Sequence, residues 1–214
     1  MTKKKKIELY DVDNDFELAI NKMHKMYLSG DVFIYPTDTV HCIGANPYNI
    51  LAVNRLQKIT KPNFICESTL LVDSLFTLIN YIDISSEKHL DFLLSIWPNP
   101  ISAILNLNKQ SKELFGIDKA TFKIPNNRFC LKLLSEIKKP LLCIQLNYNH
   151  STYKEYEIFN EEYSELVDAI FYTKKESYHN SSAVIDLTNV KPIIIKENKF
   201  NIRRYLNDYK YVSY

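Results

Sequence analysis

The apolar positions of this chain alternate between short unbroken runs and longer stretches of helical period. Residues 32–35, Val-Phe-Ile-Tyr, are apolar without a gap, the pattern of a strand buried on both faces. Pro36 ends that strand because it has no N–H to donate to a ladder. Within residues 13–29, Phe16, Leu18, Ala19, Ile20, Met23, Met26, Tyr27 and Leu28 make one helical face, and Gly30 stops it. Leu51, Ala52, Val53 and Leu56 predict a helix over 50–58. The spacing also predicts helices over 68–78 and 85–96, each with a serine near its N-cap, and over 127–137 with Phe129, Leu133, Leu134 and Ile137 inward. Strands are predicted at 63–66, 101–107, 121–124, 140–146, 167–172, 183–187 and 192–196. The stretch 109–119 reads as a loop with one helical turn, 147–160 and 174–180 as irregular, 161–166 as a short helix, and 202–206 as a terminal helical turn. Strands and helices alternate with no repeat or flexible linker, which predicts one α/β domain with a mixed sheet over 13–206. A basic tail is expected at 1–12 and a second tail at 207–214.

Composition narrows the class. The chain has 214 residues, 46% hydrophobic and 24% charged, with a net charge of +2. That is an ordinary globular balance and selects no partner by charge. The basic run Lys3–Lys6 is followed by no apolar stretch of signal length, and no segment approaches the ~20 apolar residues of a membrane span. Cys42, Cys66, Cys130 and Cys143 form no CxxC pair, so buried free thiols in a reducing cytoplasm are expected. With only 3 glycines, asparagine is expected to take some positive-φ positions.

The chemistry-bearing residues show no nucleophile–base set. His24, His41, His89, His150 and His179 are scattered, which argues against zinc. There is no GxxxxGK[ST] or GxGxxG phosphate loop. Polar side chains instead fall repeatedly at element ends. Thr37 and Thr39 follow the first strand, Lys58 and Lys61 the second helix, and Lys123 the strand at 121–124. Gln145 and Asn147 end the strand at 140–146, Ser182 precedes the one at 183–187, and Lys196 closes the last. Each lysine taken singly is a solvated surface charge. Together these groups could line one cleft suited to phosphates and a small zwitterion. The Thr37-Asp38-Thr39 segment has two readings: a turn closed by its own side chains, or a ligand site just past a buried strand.

Tyr35-Pro36-Thr37-Asp38-Thr39-Val40 resembles the opening signature of the YrdC-domain family, the threonylcarbamoyl-AMP synthases of tRNA modification. Further pieces follow in the same order. They are Gly44, Lys58-Ile59-Thr60-Lys61-Pro62, Trp97-Pro98-Asn99-Pro100 with its apolar strand, Phe122-Lys123-Ile124-Pro125, 140–147, Ser182-Ala183-Val184-Ile185-Asp186-Leu187-Thr188, and Lys196. Asn63-Phe64-Ile65-Cys66 is most similar to the YciO branch. This chain departs from the pattern at His41-Cys42 for Tyr-Gly, at Thr60 for Arg, at Lys123 and Lys196 for arginines, and at Gln145 for Ser. Lysine cannot grip phosphate or carboxylate bidentately as arginine does.

The resemblance implies a single α/β YrdC-like domain, its twisted mixed sheet flanked by helices, with a central ligand cleft. It implies a nucleotidyltransferase in the cytoplasm, away from membranes. The substrates would be L-threonine, bicarbonate and ATP with Mg2+, and the products threonylcarbamoyl-AMP and pyrophosphate. The recipient would be a tRNA-modifying transferase complex. On that reading Lys58 and Lys61 hold the triphosphate, and Lys123 and Lys196 meet phosphate or carboxylate charge. Thr37, Thr39, Gln145, Asn147 and Ser182 hydrogen-bond threonine and nucleotide. Asp38 either orients its turn through backbone N–H groups or joins the site, and Asp186 pairs with a lysine or caps a loop. Two other readings stay open: a diverged YciO-type paralogue acting on threonylcarbamoyl-AMP or another nucleotide, and a module binding double-stranded RNA or tRNA.

Overall fold

The computed structural model describes residues 7–60, 68–84, 87–146, 159, 161–163, 165–174 and 181–206. Ten strands form one sheet: β1 Glu8–Asp11, β2 Phe33–Tyr35, β3 Cys42–Ala45, β4 Ser68–Leu71, β5 Ile101–Asn106, β6 Lys119–Lys123, β7 Leu141–Gln145, β8 Ala169–Tyr172, β9 Ala183–Asp186 and β10 Ile193–Lys196. Their spatial order is β1-β8-β2-β3-β7-β4-β6-β5-β9-β10. The ladders β1·β8, β2·β8, β4·β6 and β5·β9 are parallel and the others antiparallel, so the sheet is mixed as the sequence predicts. Among the described residues the helices include α1 Phe16–Ser29, α2 Ile50–Thr60, α3 Leu75–Leu78, α4 Glu87–Ile96, α5 Lys109–Phe115 and α6 Arg128–Ile137, and residues 203–206 form the terminal helical turn expected there.

Successive strand residues feed opposite faces of the sheet. Phe33 and Tyr35 join Cys42, Leu71, Leu141, Cys143 and Phe171 under α1 and α6. Val32 and Ile34 join Ile43, Leu70, Leu142, Ile144 and Ile170 under α2 and α4. Both layers bury their apolar stripes: Ala19, Ile20, Met23 and Tyr27 of α1, Leu133 and Leu134 of α6, and Ala52, Leu56, Leu93 and Ile96 on the other side. Gly30 acts as the sequence suggests, and Asn127 adds a cap that the sequence reading did not name. Gly30 caps α1 in the left-handed region at φ 79°, and the Asn127 side chain accepts the Cys130 N–H at the start of α6.

Several expectations are corrected. Residues 68–78 do not form one helix. Ser68–Leu71 is a strand inserted between β7 and β6, with Leu70 and Leu71 packing on opposite faces, and only Leu75–Leu78 is helical. A short apolar run has no period that separates the two states, so the open slot in the sheet decides. Residues 109–115 form a full helix, capped by the Asn108 side chain on Ser111 N–H. Residues 8–11 of the expected tail pair with β8 as an edge strand, and Cys42–Ala45 is a strand paired to β2 and β7. Among the described residues the positive-φ position outside glycine is Lys138, not an asparagine. The strand expected at 63–66 lies outside the described residues, as does the irregular stretch expected at 147–160 except for residue 159.

Candidate functional site

The site grows from the turn that leaves β2. Thr37 Oγ1 donates to Val40 O at 2.6 Å, accepts the Thr39 N–H at 3.1 Å, and lies 3.1 Å from Thr39 Oγ1. The threonines therefore close the turn, and of the two readings of Asp38 the geometry takes the second, in which its side chain leaves the turn and joins the site. Its carboxylate instead reaches the end of β6, where Lys123 Nζ donates to Asp38 Oδ1 at 2.8 Å. The two side chains are 4% and 7% exposed. Lys123 also donates to Ser182 Oγ at 3.1 Å, just before β9. In the sheet β3, β7 and β4 lie between β2 and β6, so the turn must lean across the sheet face to make this pair.

That face is the α1/α6 face, beyond the ends of those helices. Lys123 alternates with Phe122, Gln145 with Ile144, and Cys143 with Leu142; the partners Phe122, Ile144 and Leu142 all pack on the other face. A narrow hollow of about 10 Å3 results, and it brings together Thr37, Thr39, Lys123, Gln145 and Ser182. Thr69, Ser102, Cys42 and Cys143 also line it. The sequence reading missed Thr69 and Ser102. Their signal was a small hydroxyl within an otherwise apolar strand, on the residue parity of the hollow.

The remaining candidates fall elsewhere. Lys58 is exposed in the last turn of α2, in the layer over the opposite face, and Lys196 is exposed at the end of the edge strand β10. Neither lines the hollow or the cleft beside it. Lys61 and Asn147 lie outside the described residues. Asp186 does both things expected of it. Its Oδ1 accepts the Thr188 N–H at 2.8 Å and hydroxyl at 2.6 Å, and its Oδ2 lies 3.8 Å from Lys119 Nζ.

The hollow alone holds no substrate, but it opens beside a cleft of about 780 Å3 that shares Thr37 and Thr39 with it. That volume suits a nucleotide-sized ligand. The cleft lies between the N-terminal ends of α1 and α6 and the segment 198–200, with Asp38, Asn126, Arg128 and Lys199 among its polar walls. The Arg128 guanidinium lies over the Phe16 ring, 4.7 Å from its centroid, an orientation that fixes a planar cation at the rim. Arg128 and Lys199 are cations absent from the sequence reading. Nothing in the local sequence of a helix start and a C-terminal loop announces that they line one cleft.

Burial raises the proton affinity of the Tyr35 phenol and of the Cys42 and Cys130 thiols, so all three stay protonated. Burial also pushes Cys143 up, but the neighbouring Cys42 thiol, Tyr35 hydroxyl and Lys123 charge outweigh it and hold this thiol below its usual range. Among the described residues no cluster of three or more His, Cys, Asp or Glu could hold a metal, and no helix is long and apolar enough to cross a membrane. The arrangement offers hydroxyls, an amide and one buried ion pair. It is equipped to bind and orient polar ligands rather than to activate a nucleophile of its own.

A family model described as "Telomere recombination", covering Sua5, YciO and YrdC, matches residues 25–198. A threonylcarbamoyl-AMP synthase of Pseudoalteromonas translucida is 32% identical over 123 residues, 55% of this chain and 65% of that protein. The fold is similar to that of E. coli YciO, with a TM-score of 0.74 at 21% identity over 93% of this chain and 97% of that one. It is also similar to P. abyssi Sua5 complexed with L-threonine, with a TM-score of 0.76 at 20% identity over 90% of this chain and 57% of that one. The chain therefore spans less than two thirds of the synthase and of the Sua5 chain.

Proposed function

This chain belongs to the Sua5/YciO/YrdC family, and on that premise we propose that it is an L-threonylcarbamoyladenylate synthase. The reaction consumes L-threonine, bicarbonate and ATP. The threonine amine bonds to the carbon of bicarbonate with loss of water, giving a carbamate. A carbamate oxygen then attacks the α-phosphorus of ATP, the bond from that phosphorus to the β-phosphate bridge breaks, and pyrophosphate leaves with threonylcarbamoyl-AMP as product.

An anion attacks an anion here, so positioning and charge matter more than a strong base. Alignment of reactants can contribute about 7–11 kcal/mol, and stabilisation of phosphoryl charge adds to it. In this reading Thr37, Thr39, Gln145 and Ser182 hold the amino acid where hollow and cleft meet. Lys123, fixed by Asp38, presents Ser182 and balances carboxylate charge. The nucleotide, as its Mg2+ complex, occupies the cleft. Arg128 and Lys199 on its walls serve its phosphates, Lys61 and Asn147 keep the phosphate and hydrogen-bonding roles that the resemblance implies, and Lys58 and Lys196, which line neither space, are left out of the site. The labile product passes to a transferase that modifies adenosine in tRNA, in the cytoplasm. The observation that carries this reading is the convergence of Thr37, Thr39, Lys123, Gln145 and Ser182 in one hollow from four separate parts of the chain.

The test is pyrophosphate release by the purified protein given L-threonine, bicarbonate and Mg-ATP. Release should depend on threonine, and its absence across a range of pH would overturn the proposal. A second reading, a YciO-type enzyme that acts on preformed threonylcarbamoyl-AMP, is favoured by two observations. The match to E. coli YciO covers 97% of that chain, and the Lys123 charge is committed to Asp38. Faster loss of threonylcarbamoyl-AMP than in buffer, without synthesis, would select it.

A further inference from the structure

The Asp38 carboxylate uses one of its two oxygens. Oδ1 accepts from Lys123 at 2.8 Å, whereas Oδ2 is buried and, among the described residues, accepts no hydrogen bond. The side chain is 7% exposed. A carboxylate offers about four lone-pair positions, and buried polar atoms are nearly always satisfied. An orphan acceptor of this kind inside a candidate site points to a donor carried by a ligand. Its position agrees: Asp38 lines the cleft, and its neighbours Thr37 and Thr39 line both the cleft and the hollow. The chemistry of the donor is restricted. A phosphate or carboxylate would be repelled, while an N–H of a cation would be attracted.

We propose that Asp38 is the ammonium-recognising residue of the site, its Oδ2 accepting an N–H from the α-ammonium of an amino-acid substrate seated where cleft and hollow meet. This rests on the amino-acid half of the proposed function. The terminal torsion of an aspartate is broad, so the carboxylate can turn its orphan oxygen to the ligand while Lys123 keeps the other. A zwitterion then meets a matching pattern. Its ammonium faces Asp38, and its carboxylate faces the Lys123 ammonium and Ser182 hydroxyl, 3.1 Å apart.

The test is calorimetric binding of L-threonine and of (2S,3R)-2,3-dihydroxybutyrate, in which a hydroxyl replaces the ammonium. The wild type should prefer threonine by about 10- to 100-fold, the range for a hydrogen bond to a charged group. Asp38→Asn, whose amide donates where the carboxylate accepted, should bring the ratio close to one, and Asp38→Glu should keep part of the preference. A purely structural role would lower stability and both affinities together without moving the ratio. Equal binding of the two acids by the wild type, or an unchanged ratio in Asp38→Asn, overturns the proposal. The wild-type comparison still decides against it if Asp38→Asn fails to fold. Threonine binding with preference but without pyrophosphate release would leave the proposal standing and remove the synthase reading. No threonine binding at all would remove both.

Discussion

Lys123→Met tests the ion pair on which the site is built. Methionine keeps most of the stem volume and removes the ammonium. The pair is short at 2.8 Å, and its side chains are 4% and 7% exposed, so bulk solvent does little to screen it. At an effective dielectric near 20, charges about 4 Å apart attract by about 4 kcal/mol. Removing one partner leaves a buried charge uncompensated, which costs about 3–5 kcal/mol. The Ser182 hydroxyl loses a donor as well, worth about 1 kcal/mol. Lys123→Met should therefore lose about 4 kcal/mol of unfolding free energy, a large part of the ~5–15 kcal/mol of an ordinary domain. Asp38→Asn alone should lose about 3 kcal/mol. The double variant should recover to within about 2 kcal/mol of wild type, because a neutral pair needs no compensation. Urea unfolding measures this directly. Trp97 is the single tryptophan, is 7% exposed, and donates its indole N–H to Ile101 O at 2.7 Å, so its emission should report loss of the core. Single-variant costs below about 1 kcal/mol that simply add in the double variant would refute the reasoning.

Two further predictions test the frame around the site. Gly44→Ala should destabilise by about 1–3 kcal/mol, read from the urea midpoint. A Cβ there would lie 2.4 Å from Leu142 O and 2.7 Å from Tyr35 Cε1, and an unchanged midpoint would mean the strands can part at no cost. His89 is 7% exposed, and burial holds its imidazole below the usual value, an effect its hydrogen bond to the Val190 backbone only partly offsets. The unfolded chain then takes up that proton first, so stability should fall as pH drops below about 6.5. In thermal unfolding between pH 7.5 and 5, His89→Phe should lose less stability than wild type, and an equal loss in both proteins would exclude this histidine as a source.

Much of the architecture was legible from local pattern. The unbroken run at 32–35 and the apolar stretch at 140–146 are strands because both faces are covered, and burial on two faces leaves no polar alternation to read. The helices at 16–29 and 128–137 were marked by their apolar period, and the first also by Gly30 at its end. β1 and β4 were not legible. Glu8–Asp11 is half exposed at the sheet edge and carries no strong apolar signal, while Ser68–Leu71 could have joined the helix beside it.

The amino-acid order by itself determined the class of element over most of the chain, and it placed Thr37, Thr39, Gln145 and Ser182 at strand ends. Propensity, period and caps are properties of a few adjacent residues, which is why they survive in a single sequence. The tertiary structure alone decided that Asp38 belongs with Lys123, 85 residues away, that Arg128 and Lys199 share a cleft, and that Lys58 sits in the opposite layer. Those outcomes follow from the lateral order of strands and from which face each side chain takes. Both are set by pairings between distant segments, and a charge finds its partner only after those pairings exist.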